Sequence, residues 1–354
     1  MRHSLTTATI SLPALRNNLA VARRAAPASN IMAVIKADAY GHGLCPVADA
    51  LMAHSDALAV ARIEEAITLR EHGIELPLVI LSGIHNTEAL AACRQFRLQP
   101  VIHRLSMLKA LASLPAAVPY WLKVDTGMHR LGLAMDELAQ LATLPPGCIG
   151  IMSHMADAEL PDHPGNRQQA QQFLQMCSRW PQLAKSLANS ATLLLHPALQ
   201  HQWVRPGIML YGANPGSINT PATDQLQAAM RLQSTVIATR PVTAGERVGY
   251  NGLWQASRDS RIATVAIGYA DGYPRHAPAG TPVWINGRQY PLAGRVSMDL
   301  ITVDVTDGAV REGDSVELWG EHIAATTVAG MAGTISYALF TGVTQRVPRI
   351  YQDN

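Results

Sequence analysis

The sequence reads as a two-domain α/β protein, an N-terminal (β/α)8 TIM barrel followed by a mainly β C-terminal domain. Three observations lead there. The chain has 354 residues, about two domains at roughly 150 residues each. Its first two-thirds alternates short apolar runs with helical patterns. After Tyr211 the texture changes to β-branched segments broken by turn residues. The expected boundaries are 10–230 for the barrel and 231–354 for the β domain, with residues 1–9 packing with the latter.

The apolar runs are Ile31–Ala37, Ala57–Ala61, Pro77–Leu81, Leu98–His103, Pro119–Asp125, Cys148–His154, Ser186–Ser190 and Val204–Tyr211. Runs of this kind between amphipathic stretches such as Arg62–His72 and Arg167–Trp180 mark parallel strands covered on both faces. Eight in series predict a closed barrel; the seventh is placed partly by its position in the count. Ala213–Asp224, rich in Gly, Pro, Ser, Asn and Thr, reads as a linker. Strands are then expected at Ser234–Thr239, Arg261–Ala266, Thr281–Ile285 and Val296–Val305, with a hairpin turn at Asn286-Gly287. Short helices near Val328 and Tyr337 precede a last strand at Arg346–Tyr351.

Composition narrows the function classes. Lys plus Arg number 28 against 26 Asp plus Glu, which leaves no basic field for nucleic acid. Apolar residues make up 48% and charged residues 15%, as in a globular protein. Cys45, Cys93, Cys148 and Cys177 are scattered with no C-x-x-C pair and read as reduced thiols. Residues 1–20 carry polar positions throughout, so neither a signal peptide nor a membrane span is expected, and the protein is expected in the cytoplasm. The His154–His163 stretch, with Asp157, Glu159 and Asp162, reads as a solvated loop rather than a metal site.

In a barrel the chemistry sits at the C-terminal ends of the strands. Lys36 follows an apolar run where burying an ammonium is costly. Lys123 and Asp125 end the fifth run, with Arg130 close behind. His154 ends the sixth and Ser190 the seventh, and Arg205 lies early in the eighth. A desolvated lysine is an amine nucleophile toward an aldehyde. Arginines are planar partners for carboxylate or phosphate, and a turn at Gly207 near Ser190 offers neutral phosphate donors. Such a set points toward pyridoxal phosphate without proving it.

The words themselves go further. Ala33-Val34-Ile35-Lys36-Ala37-Asp38-Ala39-Tyr40-Gly41-His42-Gly43, Lys123-Val124-Asp125-Thr126-Gly127-Met128-His129-Arg130-Leu131-Gly132 and Arg205-Pro206-Gly207-Ile208-Met209-Leu210-Tyr211-Gly212 closely resemble segments of the alanine racemases, fold-type III pyridoxal-phosphate enzymes. So do Gly268-Tyr269-Ala270-Asp271-Gly272-Tyr273-Pro274-Arg275 and Gly294-Arg295-Val296-Ser297-Met298-Asp299 in the β domain. The resemblance runs over nearly the whole chain.

It implies a homodimer that racemises alanine with pyridoxal 5′-phosphate bound to Lys36 as a Schiff base. Lys36 is then the base on the D face and Tyr269 of the partner subunit the base on the L face. Tyr40, Ser190, Gly207, Ile208 and Tyr337 contact the cofactor phosphate. Arg205, supported by His154, faces the pyridine nitrogen, and Arg130 holds the substrate carboxylate. Met298 and Asp299 of the partner subunit line the substrate end, and Lys123 matches a lysine that some members carbamylate. Two bases on opposite faces of a planar carbanion account for inversion, and a cationic His154–Arg205 pair is expected to lower the Tyr269 pKa. Asn251, where a glycine is expected, and Ser297, where some members carry cysteine, depart from the pattern. One methylene alters selectivity by only about 1–3 kcal/mol, so a serine or broader-range racemase is an alternative. A non-catalytic pyridoxal-phosphate carrier would resemble the first domain alone, and a fold-type III decarboxylase typically has an acid in place of Arg205.

Overall fold

The structure is a computed structural model that describes residues 4–114, 116–216 and 218–353. Its contacts divide the chain into two units, Leu15–Ala39 with Leu44–Leu226, and Met1–Ala14 with Tyr40–Gly43 and Gln227–Asn354. The first elements are β1 (Thr7–Ser11) and α1 (Leu12–Ala25).

The larger unit is a barrel of eight parallel strands: β2 (Asn30–Val34), β3 (Ala57–Val60), β4 (Leu78–Ile80), β5 (Leu98–Ile102), β6 (Tyr120–Lys123), β7 (Cys148–Met152), β8 (Ala184–Ser186) and β9 (Trp203–Val204). They pair in sequence order, and β9 returns to β2. Between β8 and β9 the ring is completed by the Arg205 N–H to Ala188 carbonyl bond (2.9 Å) and by Ser186 Oγ on the Trp203 carbonyl (3.0 Å). β3 and β4 are buried at every position, as strands covered on both faces must be.

The helices are α2 (Lys36–Gly41), α3 (Leu44–Met52), α4 (Ile63–Glu71), α5 (Thr87–Gln95), α6 (Leu105–Ala112), α7 (Met135–Ala139), α8 (Pro164–Cys177) and α9 (Ser190–Leu195). None of the described helices is long and apolar enough to cross a membrane.

Two expected strands are displaced toward the N-terminus: β8 shares only Ser186 with the expected Ser186–Ser190, and β9 only Val204 with the expected Val204–Tyr211. Ser190 does not close a strand but opens α9, because the Asn189 side chain accepts the Thr192 N–H (2.9 Å) and caps a helix there. The eighth strand stops at Val204, since Pro206 has no N–H to donate and Gly207 turns the chain into a 3-10 segment at Ile208–Tyr211.

The smaller unit is built on β10 (Met230–Val242), which is longer than the expected Ser234–Thr239. A register shift between Val236 and Ala238 bends it, so its first half pairs with β1 and its second half with another strand. Around it lie β11 (Arg247–Val248), β12 (Trp254–Gln255), β13 (Ser260–Val265), β14 (Pro282–Ile285), β15 (Arg288–Pro291), β16 (Ile301–Asp304), β17 (Ser315–Trp319) and β18 (Arg349–Gln352), with α10 (Ala325–Met331) and α11 (Ser336–Gly342). The main sheet runs β15-β14-β17-β10-β1-β18, and β13 joins β10 to β16. Asn286 and Gly287 both have positive φ (48° and 83°) at the β14–β15 hairpin, as a type I′ turn requires. The expected strand Val296–Val305 forms only from Ile301. Its first half is a turn closed by the Ser297 N–H on the Leu300 carbonyl (2.9 Å).

Gly150 is the tightest fit in the barrel wall. A Cβ there would stand 2.3 Å from Trp121 Cζ3 and 2.8 Å from the Ala184 carbonyl oxygen. Trp121 is itself fully buried and packs edge-on against Trp203 (5.7 Å, 83°), so it has no free direction to yield. Gly150→Ala should therefore destabilise the barrel by about 1–3 kcal/mol, read as a lower unfolding midpoint. An unchanged midpoint would mean that the wall yields at this point.

Candidate active site

Lys36 stands two residues past β2, at the start of α2. This helix is unusual: Ala37, Asp38, Ala39 and Tyr40 have φ of 52–55° and Gly41 has 77°. L-residues in that region cost about 1–2 kcal/mol each, so the turn needs outside support. Glu65, on α4, supplies part of it. Its Oε1 accepts the N–H groups of Ala37 (2.6 Å) and Asp38 (3.4 Å), and its Oε2 accepts those of Ala61 and Arg62 (3.0 Å each). Asp38 Oδ1 in turn accepts the Leu44 N–H (2.7 Å). Burial and the Arg130 charge hold the Lys36 amine below the ordinary lysine range, against the opposing pull of Glu65.

Lys123 is the last residue of β6. Burial, followed by the charges of Arg205, Arg130 and Lys36, brings its pKa from 10.5 down to about 8. Asp125 Oδ1 accepts the N–H groups of Gly127, Met128 and His129 (3.0–3.1 Å), folding the loop that carries Arg130. Thr126 Oγ1 meets Ser153 Oγ (2.8 Å), and Gln169 Nε2 donates to Thr126 Oγ1 and to the His154 carbonyl. Gln169, unremarkable in the sequence, thus ties the Arg130 loop to the His154 loop.

Arg205 follows β9 directly and is only 5% exposed. Its Nη1 donates to the Ser186 carbonyl (2.8 Å) and Ser186 Oγ (2.6 Å). Its Nη2 donates to the Ser153 and Leu187 carbonyls and to His154 Nδ1 (3.4 Å). Carbonyl dipoles, not a carboxylate, compensate the buried charge. Burial brings the guanidinium pKa down to about 10, so it stays protonated at neutral pH. His154 is different. Burial and the Arg205 charge push its pKa well below the ordinary value, with Lys123, Arg130 and Lys36 adding to the effect. The expected cationic pair therefore carries one charge, on Arg205, and His154 is a neutral imidazole whose Nδ1 accepts.

Ser190 Oγ accepts the Gly207 N–H (2.8 Å) and, at 3.4 Å, that of Met209, and Ile208 lies buried in the same turn. The larger unit thus brings together Lys36, Lys123, Arg130, His154 and Arg205, and pairs Ser190 with the Gly207–Ile208 turn.

The smaller unit holds the remaining candidates. The Tyr40 and Tyr337 rings lie 5.8 Å apart, and burial together with Tyr337 raises the Tyr40 hydroxyl. Tyr269 sits in a turn whose amides are anchored from two sides. The Tyr269 N–H meets the Ser297 carbonyl (3.1 Å) and the Ala270 N–H the Met298 carbonyl (2.9 Å), while buried Asp271 accepts the Gly268 N–H (3.0 Å). Asp299 pairs with Arg346 (2.8 Å), and Met298 is 53% exposed. Tyr269 also lines a cavity of about 200 Å³ with Tyr250, Asn251, Arg275, Arg295 and Val296.

Both units match known families. The profile of the alanine racemase N-terminal domain covers residues 10–215 and that of the C-terminal domain 229–351. The alanine racemase of Marinobacter nauticus is 45% identical over 98% of this chain and 99% of its own. That of Aeromonas hydrophila is 46% identical over 96% and 97%. This chain belongs to the alanine racemase family. Among solved structures of the family, the biosynthetic enzyme from Pseudomonas aeruginosa superposes with a TM-score of 0.93 at 43% identity, covering 99% of each chain. The Bartonella henselae alanine racemase, described with covalently bound pyridoxal phosphate, gives 0.92 at 32% identity over 99% of this chain and 100% of its own.

The backbone accommodates both departures from the family pattern. Asn251 adopts φ 61°, and Asn is the residue that best tolerates the left-handed region after glycine. Ser297 holds Tyr269 through its carbonyl, which any residue supplies.

Lys123 offers a test of the electrostatics. Its folded amine titrates near 8 and its free amine near 10.5. Between those values the unfolded chain binds more protons, so stability rises with pH; below pH 8 the buried charge is a constant cost. In cofactor- and bicarbonate-free protein, Lys123→Met should gain about 1–3 kcal/mol at pH 7. The advantage should fade as pH approaches 10.5. Unfolding midpoints across pH check this, and a gain that grows with pH would contradict the assignment.

Proposed function

We propose that this chain interconverts L- and D-alanine as a homodimer, with pyridoxal 5′-phosphate joined to Lys36. The observation that carries the reading is the Lys36 amine. Burial and Arg130 depress its pKa at the C-terminal end of a barrel strand, in a chain of the alanine racemase family. The donor set suits the cofactor. An amine whose pKa is lowered is more readily free to meet its aldehyde, the Lys123, Arg130 and Arg205 cations favour an anionic guest, and Ser190 with the Gly207 turn offers neutral donors for phosphate. When bound, pyridoxal phosphate supplies an electron sink that acidifies the α-hydrogen of an amino acid.

The residues then divide the work. Lys36 takes or returns the α-proton on the D face, and Tyr269 of the partner subunit does so on the L face. Arg130 holds the substrate carboxylate. Tyr40, Ser190, Gly207, Ile208 and Tyr337 hold the phosphate. Arg205, still charged at neutral pH, would face the pyridine nitrogen of a bound cofactor and would disfavour its protonation. His154, neutral, accepts from Arg205 and fixes its plane. Met298 and Asp299 of the partner subunit bound the substrate end. A depressed Lys123 has the free amine that carbamylation requires, and a carbamate there would put an anion beside Arg130. The product serves peptidoglycan synthesis or alanine breakdown in the cytoplasm.

Lys36→Ala should lose the visible absorbance of the lysine-bound cofactor and nearly all activity; retained absorbance would put the cofactor on another lysine. Tyr269→Phe should keep the cofactor and lose about 10²–10⁴-fold in racemisation. It should still exchange the α-hydrogen of D-alanine with solvent. Equal exchange of L-alanine would refute the two-base assignment.

Co-expressing Lys36→Ala with Tyr269→Phe tests the shared site. Random pairing makes half the dimers mixed, each with one intact site, so activity should recover to about a quarter of wild type. No recovery would return both bases to one subunit.

A further inference from the structure

We propose that Glu65 is a positioning residue for Lys36, its carboxylate tying the amides that follow Lys36 to the loop after β3 and so fixing where the amine stands. The proposal rests on the reading that Lys36 bears the cofactor.

The geometry separates Glu65 from an ordinary helix cap. At the third position of α4, a glutamate commonly accepts the N–H of the cap residue, and Oε2 does this at Arg62 and again at Ala61 (3.0 Å each). One oxygen suffices for that. Oε1 reaches instead to a different part of the chain, the N–H groups of Ala37 (2.6 Å) and Asp38 (3.4 Å). Those are the first amides of the left-handed turn (φ 55° and 53°). They adjoin Lys36 in sequence, so the peptide plane after Lys36 is set by this carboxylate. A left-handed turn of non-glycine residues relaxes once its support is removed, and Lys36 would move with it.

Charge makes a second link. The groups acting on Lys36 are Arg130, which lowers its pKa, and Glu65, which opposes that. Lys123 and His154 are coupled to the same amine. Glu65 is thus the anion that moderates Lys36, while its bonds hold it in place.

The test uses cofactor-free full-length protein. Trace acetylation across pH, read by peptide mapping, gives the titration midpoint of Lys36. Mixing with pyridoxal phosphate followed by borohydride reduction gives the rate and site of covalent capture. Glu65→Gln is near-isosteric but turns an accepting oxygen into a donor or leaves it uncharged. It should lower the Lys36 midpoint by about 1 pH unit and, at a pH above both midpoints where the amine is neutral in each protein, slow capture about tenfold. Thr68→Gly, an exposed change that loosens α4, should lower the unfolding midpoint and move neither readout.

A Glu65→Gln protein that melts earlier but titrates and captures like wild type would overturn the proposal, leaving Glu65 a helix cap. So would a Thr68→Gly protein that reproduces both shifts. Label on a lysine other than Lys36 in the wild type would overturn the functional reading and this proposal with it. Label on Lys36 with both readouts unmoved in Glu65→Gln would overturn this proposal alone. Should Glu65→Gln not fold, Glu65→Asp keeps the charge and loses reach: slowed capture supports the proposal and wild-type capture overturns it.

Discussion

Positive charge crowded into one end of the barrel is the constraint around which the larger unit is arranged. Arg130 acts on Lys36, and Arg205, Arg130 and Lys36 act on Lys123; the pKa values of Lys36, Lys123 and the buried Arg205 are all lowered. Left alone, such a set opposes folding. The protein meets it in three ways. Arg205 is wrapped in carbonyl oxygens, His154 gives up its proton, and the Lys123 pKa falls to about 8, so that its proton leaves once the pH rises past that value. What remains is an excess of cations that an anionic ligand would relieve, and such binding would be linked to stability by mass action. Functional sites commonly hold stability in reserve in this way.

β3 and β4 were legible because they are buried at every position and spell unbroken apolar runs; β5 and β8, with Gln99 and Lys185 inside them, were less so. Where a run ended in a polar residue, the sequence could not say whether the strand or the next helix owned it. Ser190 and Arg205 show the difficulty. Both belong to the site end of the barrel, yet one begins a helix capped by Asn189 and the other follows a strand of two residues. In the β domain the Asn286-Gly287 hairpin was readable from its turn chemistry, while β17 was not singled out. Its centre is Glu317, 5% exposed, whose Oε1 accepts the amides of His322 and Ile323 while Oε2 meets His322 Nδ1. A buried acid breaks the apolar pattern that reveals a strand.

Individual site side chains could be named from their motifs, but not their protonation. His154 beside Arg205 looks like a second cation on paper, and only the depth of burial shows that it is neutral. The left-handed turn after Lys36 was equally hidden. Ala37, Asp38, Ala39 and Tyr40 contain no glycine to announce it, and its supports come from residues distant in sequence. In the smaller unit these include Arg349 on the Gly41 carbonyl (3.2 Å), and Gly41 itself, where a Cβ would meet the Phe340 carbonyl oxygen at 2.2 Å.

The placement of β1 has a consequence for how the chain acquires its structure. Ala8 to Ser11 lie parallel to residues 349–352, with β10 on the other side. A strand synthesised among the earliest residues must therefore wait for a partner made among the latest. The barrel segment, whose strands pair almost entirely with their sequence neighbours, meets no such delay. Local pairings form sooner than distant ones, so on the ribosome the barrel should be complete while β1 still lacks its outer neighbour. The pairing of β1 with β18 should then be among the last to form, after the segment that carries Lys36 has long been made.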